Sequence, residues 1–350
     1  MATTLTDIID TVLPGTPHWL DYTLAMLIGS VIVFTVVLAT GGLFTYAFRK
    51  IFGRMGRRPG PNRVGPAGIF QFLADGIKLI GKEDIRPAKA DRLAWGGAVY
   101  VMVAFMVMAW APMPWSKDIF FSNVGTGILF ILAVSAVSPL AEVMAGWGSN
   151  NKYSLLGSVR AAALDVSYEI PLLFAVASLL LMAGTLSTQG LVEAQAGLWY
   201  IFPQIVGFVI FFITGLAKAG LVPTDLAESE SELVAGFTTE YSGMRFGMIF
   251  VIIFSNVFFI GALATTLYLG GWQAPFGTLL PVLNTFLGPI TGIVWFVAKA
   301  LLMSFVIFWI WSTLPRVRVD QYLGVAWKVI LPISIANFVA TAILVKGGIL

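Results

Sequence analysis

The chain has 350 residues, of which 58% are hydrophobic and 11% are charged. Soluble domains carry about 25% charged residues, so a mean hydropathy of +0.89 predicts a protein that folds in lipid. The sequence has no cysteine and a single histidine, His18. These absences exclude disulfides and Cys-ligated iron–sulfur clusters in this chain and argue against a haem or zinc site. We therefore expect no metal, no bound cofactor and no redox centre in this chain.

Eight apolar stretches are long enough to cross a membrane, which takes about 20 residues of α-helix. They fall at about 22–47, 93–112, 125–147, 160–183, 198–220, 243–268, 286–310 and 328–347. The sequence therefore predicts an all-α polytopic membrane protein, a single membrane domain over 1–350 with about eight transmembrane helices.

The positive charges lie almost entirely on one side of this predicted topology. Nearly all of the 21 Lys and Arg residues fall in or beside the odd-numbered loops, and many of them lie between the first two spans. Because Lys and Arg accumulate in cytoplasmic loops, we expect the odd loops to be cytoplasmic and both termini to lie on the opposite side. This orientation explains the pI of 9.1 without a nucleic-acid partner.

The first cytoplasmic loop, residues 48–92, is predicted to be folded. Gly-Pro pairs at 60–61 and 65–66 are turn signals. Between Ile69 and Ile80, apolar residues then recur at helical spacing, with Asp75 and Lys78 among them. The pattern predicts an amphipathic helix that lies in the membrane interface or packs on a partner.

Five ionisable residues fall inside or at the ends of predicted spans, where charge is costly unless it is paired or hydrated. They are Glu142, Asp165, Glu169, Lys218 and Lys299. Asp165 and Glu169 are four residues apart and share a helix face, so this pair can hold and pass a proton. The alternative is a buried Lys–Glu pair that only fixes helix packing.

A second concentration of charge follows the fifth span directly. The loop 221–242 contains Asp225, Glu228, Glu230 and Glu232. It is either a negative site on the cytoplasmic face or a solvated acidic turn in which Asp225 caps a helix. Its spacing does not match a calcium loop, and the sequence has no phosphate-binding loop, dinucleotide fingerprint or nucleophile elbow.

Several motifs along the chain point to one family. They are Gly60–Pro66, Ala74–Lys78, Lys82–Asp84, Ala145–Trp147, Asn151–Gly157, Ser167–Glu169, Glu230–Phe237, Thr239–Ser242, Gly270–Trp272, Pro315–Arg316 and Asp320–Gln321. From the first span to the last, they resemble the H subunit of NADH:quinone oxidoreductase, respiratory complex I.

The resemblance implies a membrane heel subunit that joins a peripheral redox arm to antiporter-like subunits and lacks a redox centre itself. It implies peripheral iron–sulfur subunits docked on loops 48–92 and 221–242, small antiporter-linked membrane subunits as neighbours, and surrounding membrane lipid. The substrate would be a quinone or a quinone-like carrier. The location would be the inner (cytoplasmic) membrane of a bacterium or archaeon.

The resemblance and the buried charges together assign expected roles, none of them catalytic or metal-binding. Residues expected at the quinone channel are Arg49, Arg63, Phe70, Asp75, Tyr168, Phe237 and Tyr241. Residues expected on a proton path are Glu142, Asp165, Glu169, Lys218, Lys299, Asp225, Glu228, Glu230 and Glu232.

The chain departs from the family pattern at charged positions. Lys218 stands where the family usually has Glu, and Glu142 and Asp165 are acids where none is expected. Apolar residues stand where the family usually has Glu or Arg, at Phe48, Leu221, Ile253 and Trp311. A buried cation calls for a nearby anion, so we expect the unusual acids to compensate Lys218.

We therefore expect a membrane subunit of a complex I-type NADH:quinone oxidoreductase, a translocase that couples quinone reduction to proton translocation. This chain would form part of the quinone channel. The alternative is the equivalent anchoring and ion-coupling subunit of a related F420H2 dehydrogenase, ferredoxin-linked complex or membrane-bound hydrogenase. An independent secondary transporter also suits the buried charges, although the long basic loop suits a docking surface better.

Overall fold

The computed structural model describes residues 18–117, 119–122, 124–226, 229–275 and 290–348, without the side chains of 18, 19, 22, 230 and 231. Its helices are α1 (His18–Met55), α2 (Gln71–Ile80), α3 (Arg92–Trp110), α4 (Gly127–Val137), α5 (Pro139–Gly148), α6 (Lys152–Ala183), α7 (Thr188–Ala194), α8 (Ile205–Lys218), α9 (Glu230–Leu233), α10 (Gly243–Tyr268), α11 (Thr291–Thr313), α12 (Val319–Val325) and α13 (Leu331–Lys346). A π-turn at Ala326–Ile330 joins the last two.

Seven helical segments in this part of the chain are long and apolar enough to cross a membrane, which confirms the prediction of an all-α polytopic membrane protein. They are Thr23–Met55, Arg92–Trp110, Gly127–Gly148, Lys152–Ala183, Gly243–Tyr268, Thr291–Thr313 and Val319–Lys346. The predicted fifth span at 198–220 contains a shorter apolar helix, α8, because residues 200–203 are in turns.

Some predicted boundaries differ from the structure. α1 continues through Phe48 to Met55, so the predicted loop 48–92 begins inside a helix. The third span is divided into α4 and α5 at Ser138, because Pro139 has no N–H to continue the backbone hydrogen bonds. The predicted start of the seventh span, 286–289, lies outside the described residues.

α6 and α10 form the centre of the bundle. In the most apolar 18-residue stretch of α10, 61% of the residues are buried. The corresponding share is 17% in α1 and also 17% in the last membrane segment. Glycines allow close helix approach: a Cβ on Gly41 would lie 2.2 Å from the Val251 carbonyl oxygen, and one on Gly261 would lie 2.7 Å from that of Ala300. Small residues let membrane helices pack backbone to backbone.

The predicted amphipathic helix is present as α2. The Phe72 ring lies over Gly42 of α1, and the Leu79 side chain lies over Gly247 of α10. Because one residue of α2 meets each helix, α2 packs across both α1 and α10. Another face of α2 is apolar and exposed, and it consists of Leu73, Ile77 and Ile80.

Candidate functional site

Most of the buried charges gather around α6. The Asn151 side chain caps this helix by accepting a hydrogen bond from the Tyr153 N–H at 2.9 Å. One helix face carries both Asp165 and Glu169, and Pro171 follows them without ending the helix. α6 therefore holds the two carboxylates one turn apart inside the bundle.

A cavity of about 170 Å³ lies among α3, α4, α5, α6, α8 and α10. Most of its wall is apolar. The polar side chains in the wall are Ser135, Ser138, Glu142, Asp165, Lys218, Thr224 and Asn256. Since a water molecule occupies about 30 Å³ in the liquid, the cavity has room to hydrate these charges.

Lys218, the last residue of α8, forms an ion pair with Glu169. The two side chains are 14% and 9% exposed. Ser135 Oγ donates to Glu169 Oε1 at 3.1 Å, and Asn256 Nδ2 donates to the Lys218 carbonyl oxygen at 3.1 Å. The ion pair therefore joins α8 to α6, with support from α4 and α10.

Two further carboxylates, Asp165 and Glu142, interact electrostatically with Lys218. The two acids that we expected to compensate Lys218 thus lie close enough to interact with this buried cation. Three carboxylates outnumber one ammonium group, so protons or water must offset the excess negative charge. The structure brings together four of the five buried charges singled out in the sequence.

Lys299 lies apart from this cluster. Its Nζ donates to the carbonyl oxygens of Leu269 at 2.6 Å and Gln273 at 2.9 Å, and it lies 4.7 Å from the centre of the Trp199 ring. Leu269 directly follows α10, so the cation occupies the negative end of that helix dipole. Among the described residues, the partners of this buried ammonium group are carbonyl oxygens and an aromatic ring, and no carboxylate forms an ion pair with it.

Ion pairs tie the acidic loop 221–242 to the bundle. Asp225 pairs with Arg316 at 2.8 Å. Glu232 pairs with Arg160 of α6, and Arg160 also donates to the Leu226 carbonyl oxygen at 3.3 Å. This loop is therefore connected both to α6 and to the segment that leads into the last span.

The helix in the acidic loop begins later than one interpretation of the sequence proposed. α9 starts at Glu230, and Ser229 stands at its cap position. Asp225 is therefore not a helix cap but an ion-pair partner. Glu228 lies outside the described residues, as does the side chain of Glu230.

Two residues expected at the quinone channel form an ion pair beside the C-terminal end of α1. Arg49 Nη1 lies 2.5 Å from Asp75 Oδ2, and Gln71 Nε2 donates to the same carboxylate at 3.2 Å. Arg63 and Phe70 are exposed in the same loop. A second cavity of about 360 Å³ adjoins Arg49, and its wall is formed by Phe48, Arg49, Phe52, Gly53, Arg58, Pro59, Gly60 and Pro61.

Tyr241 and Phe237 are placed elsewhere. The Tyr241 ring stacks on Trp95 at 5.2 Å and its hydroxyl donates to the Trp95 carbonyl oxygen at 2.9 Å. Arg245 lies 4.3 Å from the Trp95 ring and pairs with Asp84 at 2.9 Å. Burial raises the pKa of Tyr241, an effect that Arg245 opposes, so this hydroxyl stays protonated at neutral pH. Phe237 lines the first cavity.

Tyr168 faces the last membrane segment. Its ring stacks on Tyr322 at 4.4 Å, and its hydroxyl donates to the Tyr322 carbonyl oxygen at 3.0 Å. The side chain is buried. The residues expected at the quinone channel are therefore distributed over separate places, and only Arg49 among them lines the second cavity.

Phe48 and Trp311, two positions where we expect the family to carry a charge, pack with α10 as one aromatic layer. Phe48 stacks on Trp311 at 4.0 Å, and Phe254 of α10 contacts both rings at 5.4 and 5.9 Å. The preceding residue in α10, Ile253, lines the first cavity. α10 thus separates the first cavity from an aromatic layer that adjoins the second.

Sequence reasoning missed several residues that this site uses. Ser135 and Asn256 are ordinary polar residues in apolar spans, and such residues often only link helices. They matter here because Ser135 binds Glu169 and Asn256 binds the backbone of Lys218. Arg160 offered a signal, since it is a cation at the start of a predicted span, five residues before Asp165.

Comparisons with known proteins agree with this picture. A family model described as NADH dehydrogenase matches residues 28–342. The H subunit of NADH-quinone oxidoreductase from Brevibacillus brevis (strain 47) is 43% identical over 341 residues, 97% of this chain and 98% of the relative. The protein of the same name from Dehalococcoides mccartyi (strain CBDB1) is 42% identical over 323 residues, 92% of this chain and 87% of the relative.

A third relative, the protein of that name from Paramagnetospirillum magneticum, is 42% identical over 313 residues, 89% of each chain. The family match begins inside the first membrane segment and ends inside the last, and it includes the loops 48–92 and 221–242 and the buried charge cluster. The chain therefore belongs to the NADH dehydrogenase family, as a homologue of the membrane-embedded H subunit of NADH-quinone oxidoreductase.

Proposed function

We propose that this chain is the membrane subunit of a complex I-type NADH:quinone oxidoreductase that forms part of the quinone channel and couples quinone reduction to proton translocation. The observation that carries the proposal is the buried Lys218–Glu169 pair, which adjoins a cavity lined by Asp165 and Glu142. Ionisable groups at membrane depth mark ion paths and proton relays. The names of the relatives, which specify a quinone, favour this function over quinone-independent alternatives.

The charge cluster can exchange protons by a change of partner. When Glu169 takes up a proton, its attraction to Lys218 falls, and the ammonium group can turn to Asp165 or Glu142. Release of the proton restores the first ion pair. Because charges interact strongly in a low-dielectric interior, each step is sensitive to any charge that changes nearby.

We place the quinone at the second cavity. Phe48 and Phe52 supply apolar walls, and Arg49 supplies a positive charge that Asp75 holds in place. An apolar wall with few polar groups suits a ligand with an apolar tail and a polar headgroup. A quinone or a quinone-like carrier has this chemistry.

The peripheral iron–sulfur subunits would dock on loops 48–92 and 221–242. The second loop reaches α6 through Arg160, which binds both Glu232 and the Leu226 carbonyl oxygen. A change of charge or position in this loop, caused by quinone reduction, would therefore act on the helix that carries Asp165 and Glu169. Small antiporter-linked membrane subunits and lipid would cover the exposed apolar faces of α1 and α13.

We place the protein in the inner (cytoplasmic) membrane of a bacterium or archaeon, with the odd loops on the cytoplasmic side. The concentration of Lys and Arg in those loops supports this orientation. Both docking loops then face the compartment in which NADH is oxidised, as a peripheral redox arm requires.

Glu169→Gln in the assembled complex, in sealed membrane vesicles, tests the proposal. The number of protons translocated per NADH oxidised should fall severalfold, because an amide takes up no proton. Glu193→Gln, at an exposed acid in α7, is the matched control and should leave this ratio unchanged. An unchanged ratio and rate in Glu169→Gln would show that this carboxylate is not on the proton path.

A further inference from the structure

α6 is weakened at the level of its two carboxylates. Pro171 has no N–H to donate to the Ser167 carbonyl oxygen one turn earlier, so the helix lacks one backbone hydrogen bond there. Ser167 lies between Asp165 and Glu169 in sequence, but about 160° around the helix from Glu169. The position of Glu169 therefore depends on what supports the opposite face of α6.

The last membrane segment provides that support. Trp327 Nε1 donates to Ser167 Oγ at 3.1 Å. At the next residue of α6, Tyr168 stacks on Tyr322 and donates to its carbonyl oxygen. Two adjacent residues of α6 are thus held by two residues of the last segment, and this limits rotation of the helix.

A π-turn interrupts the last segment where it meets α6. The Leu331 N–H bonds to the Ala326 carbonyl oxygen five residues earlier, and such turns inside helices are frequent at functional sites. Tyr322 lies in α12 before this turn, and Trp327 lies at its start. The two contacts with α6 therefore come from the helical turn before the π-turn and from the π-turn itself.

Contacts on both sides of the π-turn fix the segment along its length. Beyond the turn, Asn337 Nδ2 donates to Gln204 Oε1 at 3.0 Å, and Gln204 Nε2 donates to Thr341 Oγ1 at 2.6 Å. Before it, the Val317 N–H donates to the Pro223 carbonyl oxygen of the acidic loop at 3.2 Å. These hydrogen bonds oppose sliding of the last segment past α6, and the one at Val317 attaches its beginning to the loop 221–242.

We propose that Trp327 and Tyr322 are positioning residues for Glu169. They hold the turn of α6 that Pro171 weakens, so that Glu169 stays within reach of Lys218. They act through Ser167 and Tyr168 on the back of α6 and do not touch the proton. This inference rests on the proposed proton path and adds the last membrane segment to it.

Trp327→Phe in the assembled complex tests the proposal, since it removes the N–H donor and keeps an aromatic ring. Protons translocated per NADH oxidised should fall, because the loss of one interhelical hydrogen bond in a membrane shifts the equilibrium away from the held position of α6 by about threefold. The KM for quinone should not change. Ser167→Ala should give the same result, and the two changes together should not add. Trp309→Phe is the matched control, at an exposed tryptophan of α11 for which the described residues provide no Nε1 partner.

A positioning role also predicts that Trp327→Phe has no further effect once Glu169 is Gln. Full additivity with Glu169→Gln would indicate packing alone and would overturn the proposal, as would a normal translocation ratio in Trp327→Phe. If Glu169→Gln itself is normal, the proposed proton path and the positioning role both fail. If Glu169→Gln lowers the translocation ratio and Trp327→Phe leaves it unchanged, the positioning role fails and the proton path stands.

Discussion

Among single residues, Lys218 is the centre of the charge balance. Three acids, Glu142, Asp165 and Glu169, interact with this one ammonium group in a mostly apolar cavity. Removing one partner of a buried pair leaves a charge without compensation, which is far more costly than replacing both partners by neutral groups. Stability and coupling should therefore depend on the net charge of the cluster.

Lys218→Met should destabilise the protein by roughly 3–5 kcal/mol, because it leaves the carboxylates without their cation. The double variant Lys218→Met with Glu169→Gln should recover part of this loss, since it removes one of the unpaired anions. Thermal unfolding of the purified complex measures both. Equal unfolding temperatures for the single and double variants would mean that Glu169 and Lys218 do not depend on each other.

At the scale of the helices, close packing depends on glycines, which have no side chain between the two backbones. α10 meets α1 at Gly41 and α11 at its own Gly261, and at both places backbone atoms occupy the space that a Cβ would fill. The opposite faces of α10 contact the first cavity and the aromatic layer. A shift of α10 would thus disturb both.

Gly261→Ala should destabilise the bundle by about 1–3 kcal/mol, the usual cost of overpacking. A Cβ there would lie 2.7 Å from the Ala300 carbonyl oxygen, and backbone cannot move aside cheaply. Gly197→Ala, in the turn before α8, is the matched control, since a Cβ there meets nothing within 4 Å, and it should be neutral or slightly stabilising. The amount of assembled complex and its unfolding temperature distinguish these outcomes, and a neutral Gly261→Ala would contradict the packing.

Across the described part of the molecule, ion pairs join the loop 221–242 to the membrane helices. Arg160 connects the acidic loop to α6, and Arg316 connects it to the last segment. The first cavity and the aromatic layer lie on opposite sides of α10, so this helix stands between the two cavities. The ion pairs of Arg160 and Arg316 give a connection around it, and we expect coupling to pass through the loops and α6.

Arg160→Gln should lower the number of protons translocated per NADH and leave thermal stability nearly unchanged. Partly exposed ion pairs contribute about 0–1 kcal/mol, and the Arg160 and Glu232 side chains are 24% and 52% exposed. Arg318→Gln is the control, because Arg318 pairs with Asp320 on the surface. If translocation is normal in Arg160→Gln, coupling does not pass through this contact.

Much of the architecture could be predicted from the sequence. Hydropathy, the amphipathic pattern between Ile69 and Ile80, and the family motifs each depend on local composition, and each agrees with the helices found. The predicted ends of the membrane spans were less accurate where a proline or a turn interrupts an otherwise apolar stretch. Pro139 divides the third span, and the turns at 200–203 shorten the fifth.

Composition and hydropathy alone were enough to establish a polytopic helical membrane protein with charges at membrane depth, because a lipid environment demands long apolar helices and makes each buried charge conspicuous. They could not show which of those charges meet. In the folded chain Lys218 joins Glu169, Asp165 and Glu142, whereas Lys299 binds helix-end carbonyls instead. An ion pair depends on distances between residues far apart in the chain, and helix packing alone sets those distances.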